Sequence, residues 1–133
     1  MAKYSATTRD ITVTVRAVFL QDQSDAEQGT WVWAYQVWIE NGGSETVQLL
    51  RRTWRITDAR GRMQMVQGDG VIGEQPVLDP GETFEYTSGT PLETPSGFMA
   101  GQYHMVATLT GEPFDVEIPA FSLDSTHQPR QLH

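Results

Sequence analysis

Two stretches of apolar/polar alternation set the limits on what this chain can fold into. In residues 11–20, Ile11, Val13, Val15, Ala17 and Phe19 fall on one side of an extended chain, and Thr12, Thr14 and Arg16 on the other. In residues 30–40, Trp31, Trp33, Tyr35, Val37 and Ile39 alternate against Val32, Ala34, Gln36 and Trp38. β-Branched and aromatic side chains at period two suit a pleated sheet, and Asn41-Gly42-Gly43 ends the second run with residues that tolerate positive φ. Further strands are expected at 46–57, 62–67, 82–88, 102–110 and 114–121. The last of these turns Phe114, Val116 and Ile118 inward and Asp115 and Glu117 outward. About seven strands separated by turns, with no helical pattern between them, predict an all-β fold: an antiparallel β-sandwich. With no cysteine in the chain, the fibronectin type III variant of the immunoglobulin-like sandwich is favoured over the antibody type.

At 133 residues the chain is expected to form one domain over residues 1–124, followed by a polar, flexible tail at 125–133. The absence of cysteine excludes disulfides, thiol catalysis and Cys-ligated zinc. No signal peptide or membrane-length apolar run is present, so the reading is a cytoplasmic protein that is not membrane-embedded. A net charge of −8 argues against general nucleic-acid binding, which depends on neutralising phosphates.

That charge is unevenly spread. Arg51, Arg52, Arg55, Arg60 and Arg62 are five of the nine basic residues, and ten acidic residues follow before the next basic one, Arg130. Guanidinium forks suit phosphate or carboxylate, whether on a ligand, on an acidic partner or on the protein's own neighbouring strands. Close behind them, Gly68-Asp69-Gly70-Val71-Ile72-Gly73 matches G-x-G-x-x-G. A dinucleotide site needs a helix after that motif, and Pro76, Pro80 and Gly81 exclude one. The loop therefore reads either as a structural connection or as a nest of amides that holds an anion. Gly68, Asp69, Gly70 and Gly73, assisted by Arg52 and Arg55, are the candidate ligand-binding residues, and Gly70→Ala is expected to weaken binding while sparing the fold.

No catalytic constellation stands out. The histidines are His104, His127 and His133, and the last two fall in the tail. Ser88 lacks the G-x-S-x-G elbow, and no metal-ligand spacing is present, so no catalytic residue, metal site or cofactor is expected.

The run from Gly68 to Glu82, Phe84 to Gly89, Leu92-Glu93-Thr94-Pro95, Gly97-Phe98-Met99 and Gly101-Gln102-Tyr103 resembles the ApaG family. Upstream Ile39-Glu40-Asn41-Gly42 and Trp54-Arg55-Ile56-Thr57-Asp58, and the closing Ile118-Pro119-Ala120-Phe121-Ser122-Leu123, carry the likeness over nearly the whole chain. One departure is Arg51-Arg52-Thr53-Trp54, where family members typically place histidine before the tryptophan. The resemblance implies a fibronectin type III-like sandwich of unsettled biochemical role. It also implies an association with cobalt and magnesium efflux, and kinship to interaction modules of larger eukaryotic proteins. Two functions follow as expectations. The first is a non-enzymatic module that binds a protein partner. The alternative is a small-anion binder, for nucleotide or pyrophosphate, at the glycine-rich loop.

Overall fold

The computed structural model describes residues 2–125. Its strands are β1 (Tyr4–Thr8), β2 (Ile11–Phe19), β3 (Trp31–Asn41), β4 (Val47–Asp58), β5 (Met63–Asp69), β6 (Val77–Leu78), β7 (Thr83–Leu92), β8 (Ser96–Ala107) and β9 (Pro113–Asp124). They form two antiparallel sheets, ordered β1-β2-β3-β7 and β5-β4-β8-β9, with β6 also paired to β4. β2-β3-β7 facing β5-β4-β8-β9 gives the fibronectin type III-like sandwich expected from the sequence, with β1 and β6 as additions. Of the expected tail, Ser125 is buried, and residues 126–133 lie outside the described residues.

The alternation seen in the sequence selects the core. Ile11, Val13 and Val15 of β2 and Trp33, Tyr35, Val37 and Ile39 of β3 are all buried. Trp54 of β4 sits where the sheets meet, edge-on to Tyr35 and Phe121 with ring centroids 5.3 and 5.9 Å away. Trp38 points outward, beneath the Lys3 ammonium 4.7 Å from its ring centre.

Two irregularities let strands with awkward patterns satisfy both faces. In β4 the register to β8 shifts between Leu49 and Arg51, so Leu50 is an extra residue. Before the bulge Val47 and Leu49 point inward; after it the inward positions are Arg52, Trp54 and Ile56. In β9 the register shifts opposite Met99 and Gly101, around Pro119 and Ala120. Ile118 and Phe121 therefore both reach the core, and Pro119 sits at a bulge, where a missing N–H is tolerated. Gly101 lies against β4 so closely that a Cβ would stand 2.1 Å from the Thr53 carbonyl oxygen, so only glycine fits there.

The structure has more strand than the alternation predicts. β1 pairs with β2 through a two-residue turn in which Arg9 and Asp10 adopt φ of 49° and 67°. Such turns favour Asn-Gly, so the Arg-Asp pair hides the hairpin. β1 is itself half exposed, and its outer face is a hydroxyl ladder of Ser5 to Thr14 and Thr7 to Thr12, each 2.9 Å. β8 begins at Ser96 rather than 102, and β7 runs to Leu92.

Asn41 does more than end β3. Its buried amide donates to the carbonyls of Glu45 (2.7 Å) and Leu78 (3.0 Å), and its oxygen accepts from the Gly43 amide. Replacing it leaves carbonyls unpaired inside the protein, so Asn41→Ala should lower the unfolding free energy by about 1–3 kcal/mol in urea titration.

Candidate functional site

The β4 bulge places a charged side chain where the alternation before it would put an aliphatic one. Arg52 points between the sheets, half buried, beside Trp54. Its Nη1 donates to the carbonyls of Asp69 (3.1 Å) and Gly70 (2.7 Å). Gly68 lies directly opposite, and a Cβ there would meet the guanidinium at 2.9 Å. Among the described residues, none of the ion pairs includes Arg52. Its charge is thus met by two carbonyl dipoles and no carboxylate.

Facing Arg52 from the other sheet are Tyr35, Tyr86 and Ser88, which with Trp54, Val71 and Ile72 line a cleft of about 150 Å³. Burial is the main cause holding the Tyr35 phenol above its ordinary pKa, against the opposing pull of a hydrogen bond to Ser88 and the Arg52 charge. Burial likewise pushes Tyr86 and the enclosed Tyr103 up, and their hydroxyls are hydrogen-bonded to each other. These phenols are neutral hydroxyls at neutral pH, joined in pairs as Tyr35 with Ser88 and Tyr86 with Tyr103.

The glycine motif frames this cleft in a different way from an anion nest. The Gly70 amide donates to Leu50, the bulge residue, and the Val71 and Glu74 amides bond each other's carbonyls across a two-residue turn. Two of the amides a nest at Gly68–Gly73 would use, Gly70 and Val71, are therefore committed, and the carbonyls of Asp69 and Gly70 face the guanidinium. Gly70 has φ +61°, and its Cβ would stand 2.2 Å from the Glu74 carbonyl oxygen. Contrary to the expectation from sequence, Gly70→Ala would disrupt the turn and cannot serve as a clean binding probe. Gly73 lies exposed at the turn, with open space where a Cβ would be. Asp69 is exposed and contributes only its main chain to Arg52. Arg55 does not converge with Arg52: three residues on, it lies on the outer face of the sheet, between Met65 and Ala100. At about 150 Å³ the cleft is also smaller than the roughly 300–1,000 Å³ usual for small-molecule sites, so it cannot enclose a nucleotide.

Tyr35, Tyr86 and Ser88 were not evident as site residues because each occupies a position that alternation assigns to core or strand. The available signal was chemical: a tyrosine where phenylalanine would fill the core brings a hydroxyl that needs a partner.

The outer face of β4, β8 and β9 carries a second constellation. Thr53 Oγ1 lies 2.7 Å from His104 Nε2, and His104 Nδ1 lies 2.7 Å from Asp115 Oδ1. The order hydroxyl–imidazole–carboxylate is that of a nucleophilic triad. Thr53, however, is only 5% exposed, and its oxygen also accepts from Gln67 Nε2 at 3.2 Å. The line ties β4 to β8 and, through His104, to β9, at the position where the family resemblance leads one to expect histidine. At the other end of this face Met63, Met65 and Phe98 are 54%, 54% and 48% exposed. Met63 and Phe98 flank Thr57 in register, as Met65 and Ala100 flank Arg55. Beside them opens a cleft of about 430 Å³ lined by Ile56, Asp58, Arg62, Met63, Pro91 and Leu92, among others. Asp58 organises this corner by accepting from the amides of Arg60 and Arg62, at 2.9 and 3.0 Å. Partial desolvation pushes its carboxyl upward, but those amides and the arginine charges outweigh it and leave the pKa below normal.

A two-sheet antiparallel sandwich with a polar cleft at one open edge belongs to the class of immunoglobulin-like and fibronectin type III-like domains. A family model described as the ApaG domain matches residues 21–107. The chain is 65% identical to Protein ApaG of Rhodospirillum centenum, over 93% of this chain and 95% of that protein. It is 59% identical to Protein ApaG of Parvibaculum lavamentivorans, over 98% and 99%. It superposes on the crystal structure of the putative ApaA protein from Bordetella pertussis with a TM-score of 0.84 and 50% identity, covering 92% and 96% of the two chains. The chain belongs to the ApaG family.

Two outcomes follow from the cleft. Ile72, a β-branched residue 55% exposed, has φ 42° in the first position of its turn, with Gly73 at 80°. Asparagine tolerates that backbone better, so Ile72→Asn should raise the unfolding free energy by about 1 kcal/mol in urea. The buried tyrosines set an alkaline limit. Unfolded phenols lose their protons near pH about 10, while the folded ones hold them to higher pH. Their contribution to stability is therefore complete below pH about 10 and declines as pH rises from there towards the folded values. Unfolding titrations read alongside tyrosinate absorbance should show ionisation lagging in the folded protein and stability falling over that window.

Proposed function

We propose that this protein is a non-enzymatic recognition module, acting as a soluble cytoplasmic factor, that takes an extended acidic and apolar segment of a protein partner on the outer face of β5, β4 and β8. The observation that carries the reading is the exposure of Met63 and Met65 on β5 and of Phe98 on β8, the two strands that flank β4, while most other large apolar side chains among the described residues are enclosed. Clustered apolar exposure of this kind marks interaction surfaces. Methionines suit them because their flexible thioethers adapt to a partner.

The edge and the charge favour the same occupant. β5 ends its sheet, so one side of its backbone is open to strand addition. Arg55 stands within the apolar cluster, and Arg51 shares the outer face further along β4. The turn that follows supplies Arg60 and Arg62, with Arg62 shared between Asp58 at 3.4 Å and Glu93 at 3.8 Å. On a protein of net charge −8 this is a local basic patch, suited to acidic side chains interspersed with apolar ones. A tie to cobalt or magnesium efflux would then run through the partner. Among the described residues no helix is long and apolar enough to cross a membrane, and no three His, Asp or Glu side chains converge as metal ligands.

The test is affinity capture from a lysate of the source cells with the native protein and with Met65→Lys. Met65 is exposed on an edge strand, so the variant should melt within about 0.5 kcal/mol of the native protein. The reading expects a reproducible partner that the native protein retains and Met65→Lys loses. An identical set of proteins on both, or none on either, overturns it.

A further inference from the structure

We propose that the cleft between Arg52, Tyr35, Tyr86 and Ser88 is a binding site for one compact oxyanion, a single phosphate group. The proposal rests on this interior cleft and is independent of the partner-binding face, which lies on the other side of the same sheet.

Charge and geometry carry the argument. Arg52 is half buried among aromatic rings with no carboxylate paired to it among the described residues, although eleven acidic residues follow it in the chain. A cation withdrawn from water without a counter-ion is costly, and an anion in the cleft offsets that cost. Only Nη1 is engaged in holding the Asp69 and Gly70 carbonyls. Nε and Nη2 form the other edge of the fork, the edge that meets two oxygens of a phosphate at once. The opposite sheet supplies hydroxyls: Ser88 and Tyr35 line the cleft together, hydrogen-bonded to each other, so the pair keeps one proton to donate to a ligand. Tyr103 is fully enclosed, and its hydroxyl reaches no polar group but the Tyr86 hydroxyl; the arrangement that serves a ligand has Tyr103 as the donor of that bond. Tyr86 is then left with its own proton to donate into the cleft it lines. Donors on two sides around one volume suit a tetrahedral oxyanion better than a planar carboxylate.

Size and backbone agree with this assignment. Taking about 30 Å³ of liquid volume per water, a cleft of about 150 Å³ displaces a handful of waters and holds a phosphate group, but not the base and sugar of a nucleotide. Ile72 lines the cleft from a turn position whose φ of 42° a β-branched residue rarely adopts. Strain kept at a ligand-facing position is a recurrent feature of binding sites.

The experiment is an NMR titration of the full chain at constant ionic strength in chloride, with inorganic phosphate, pyrophosphate and adenosine monophosphate as separate probes. Saturable shifts at Val71, Ile72 and Ser88 are expected with phosphate. Ser88→Ala and Tyr35→Phe each remove one hydroxyl and leave the Arg52 clip intact, and each should weaken binding by roughly tenfold. Arg52→Lys keeps the charge but loses the fork, and should weaken binding further. Because it also loosens the loop, the hydroxyl variants are the deciding ones. Tightest binding by free phosphate identifies the ion itself as the ligand, whereas tighter binding by either larger probe identifies the phosphate end of a bigger molecule. Absence of saturable shifts with all three probes overturns the proposal, as does binding that both hydroxyl variants leave unchanged. Met65→Lys should titrate like the native protein, so failure of this site and failure of the partner-binding face are separately visible.

Discussion

One extra residue in β4 decides which way every later side chain of that strand points. Without the bulge at Leu50, the parity of Val47 and Leu49 would carry Arg51, Thr53 and Arg55 into the core and turn Trp54 to solvent. With it, Trp54 joins the aromatic contacts between the sheets, and Arg52 enters at their edge. The bulge also works through its main chain. The Leu50 carbonyl accepts from the Gly70 amide at 2.8 Å and from Gln75 Nε2 at 2.9 Å, which folds the glycine loop back onto β4. Arg52 then clips the same loop through two of its carbonyls. Core, loop and cleft share this single irregularity, in keeping with the tendency of bulges to re-aim side chains beside functional sites.

The same constraint divides the basic cluster between two environments. Arg52 faces hydroxyls and aromatic rings in a small cleft, where reduced solvent screening strengthens each charge contact. Arg55 faces water beside Met65, where its contribution is to long-range attraction and register with a partner. Arg62 is exposed at the turn, where it is shared loosely between Asp58 and Glu93. A run of arginines that looks like one feature in sequence is therefore three features in space, and only one of them is withdrawn from solvent. The Thr53–His104–Asp115 line shows the same separation of resemblance from role. Its spacing is that of a triad, but its hydroxyl is buried and shared with Gln67.

Much of the fold was legible because side-chain alternation and sheet burial are the same periodicity. The buried faces of β2 and β3 follow directly from residues 11–19 and 31–41. β1 and the first half of β8 were not legible. β1 has a half-exposed pattern and an atypical Arg-Asp turn, and residues 96–101 contain two glycines that read as loop but serve as sites of close strand approach. The glycine motif was legible as glycine-requiring, not in its purpose. Gly68 makes room for the Arg52 guanidinium and Gly70 for the Glu74 carbonyl, neighbours that no spacing rule could name.

By itself the sequence determined an all-β chain, the inward faces of its regular strands, the exclusion of a dinucleotide helix after Gly73, and membership in its family through the motifs between Ile39 and Leu123. Tertiary structure alone decided that Arg52 and Arg55 part company, that the loop turns carbonyls rather than amides towards the arginine, and that Tyr35, Tyr86 and Ser88 meet Arg52 across the sandwich. The reason is physical. Alternation along a strand is local and survives in one dimension, whereas a single-residue bulge reverses every later side chain and takes effect only through the strands that pair with it.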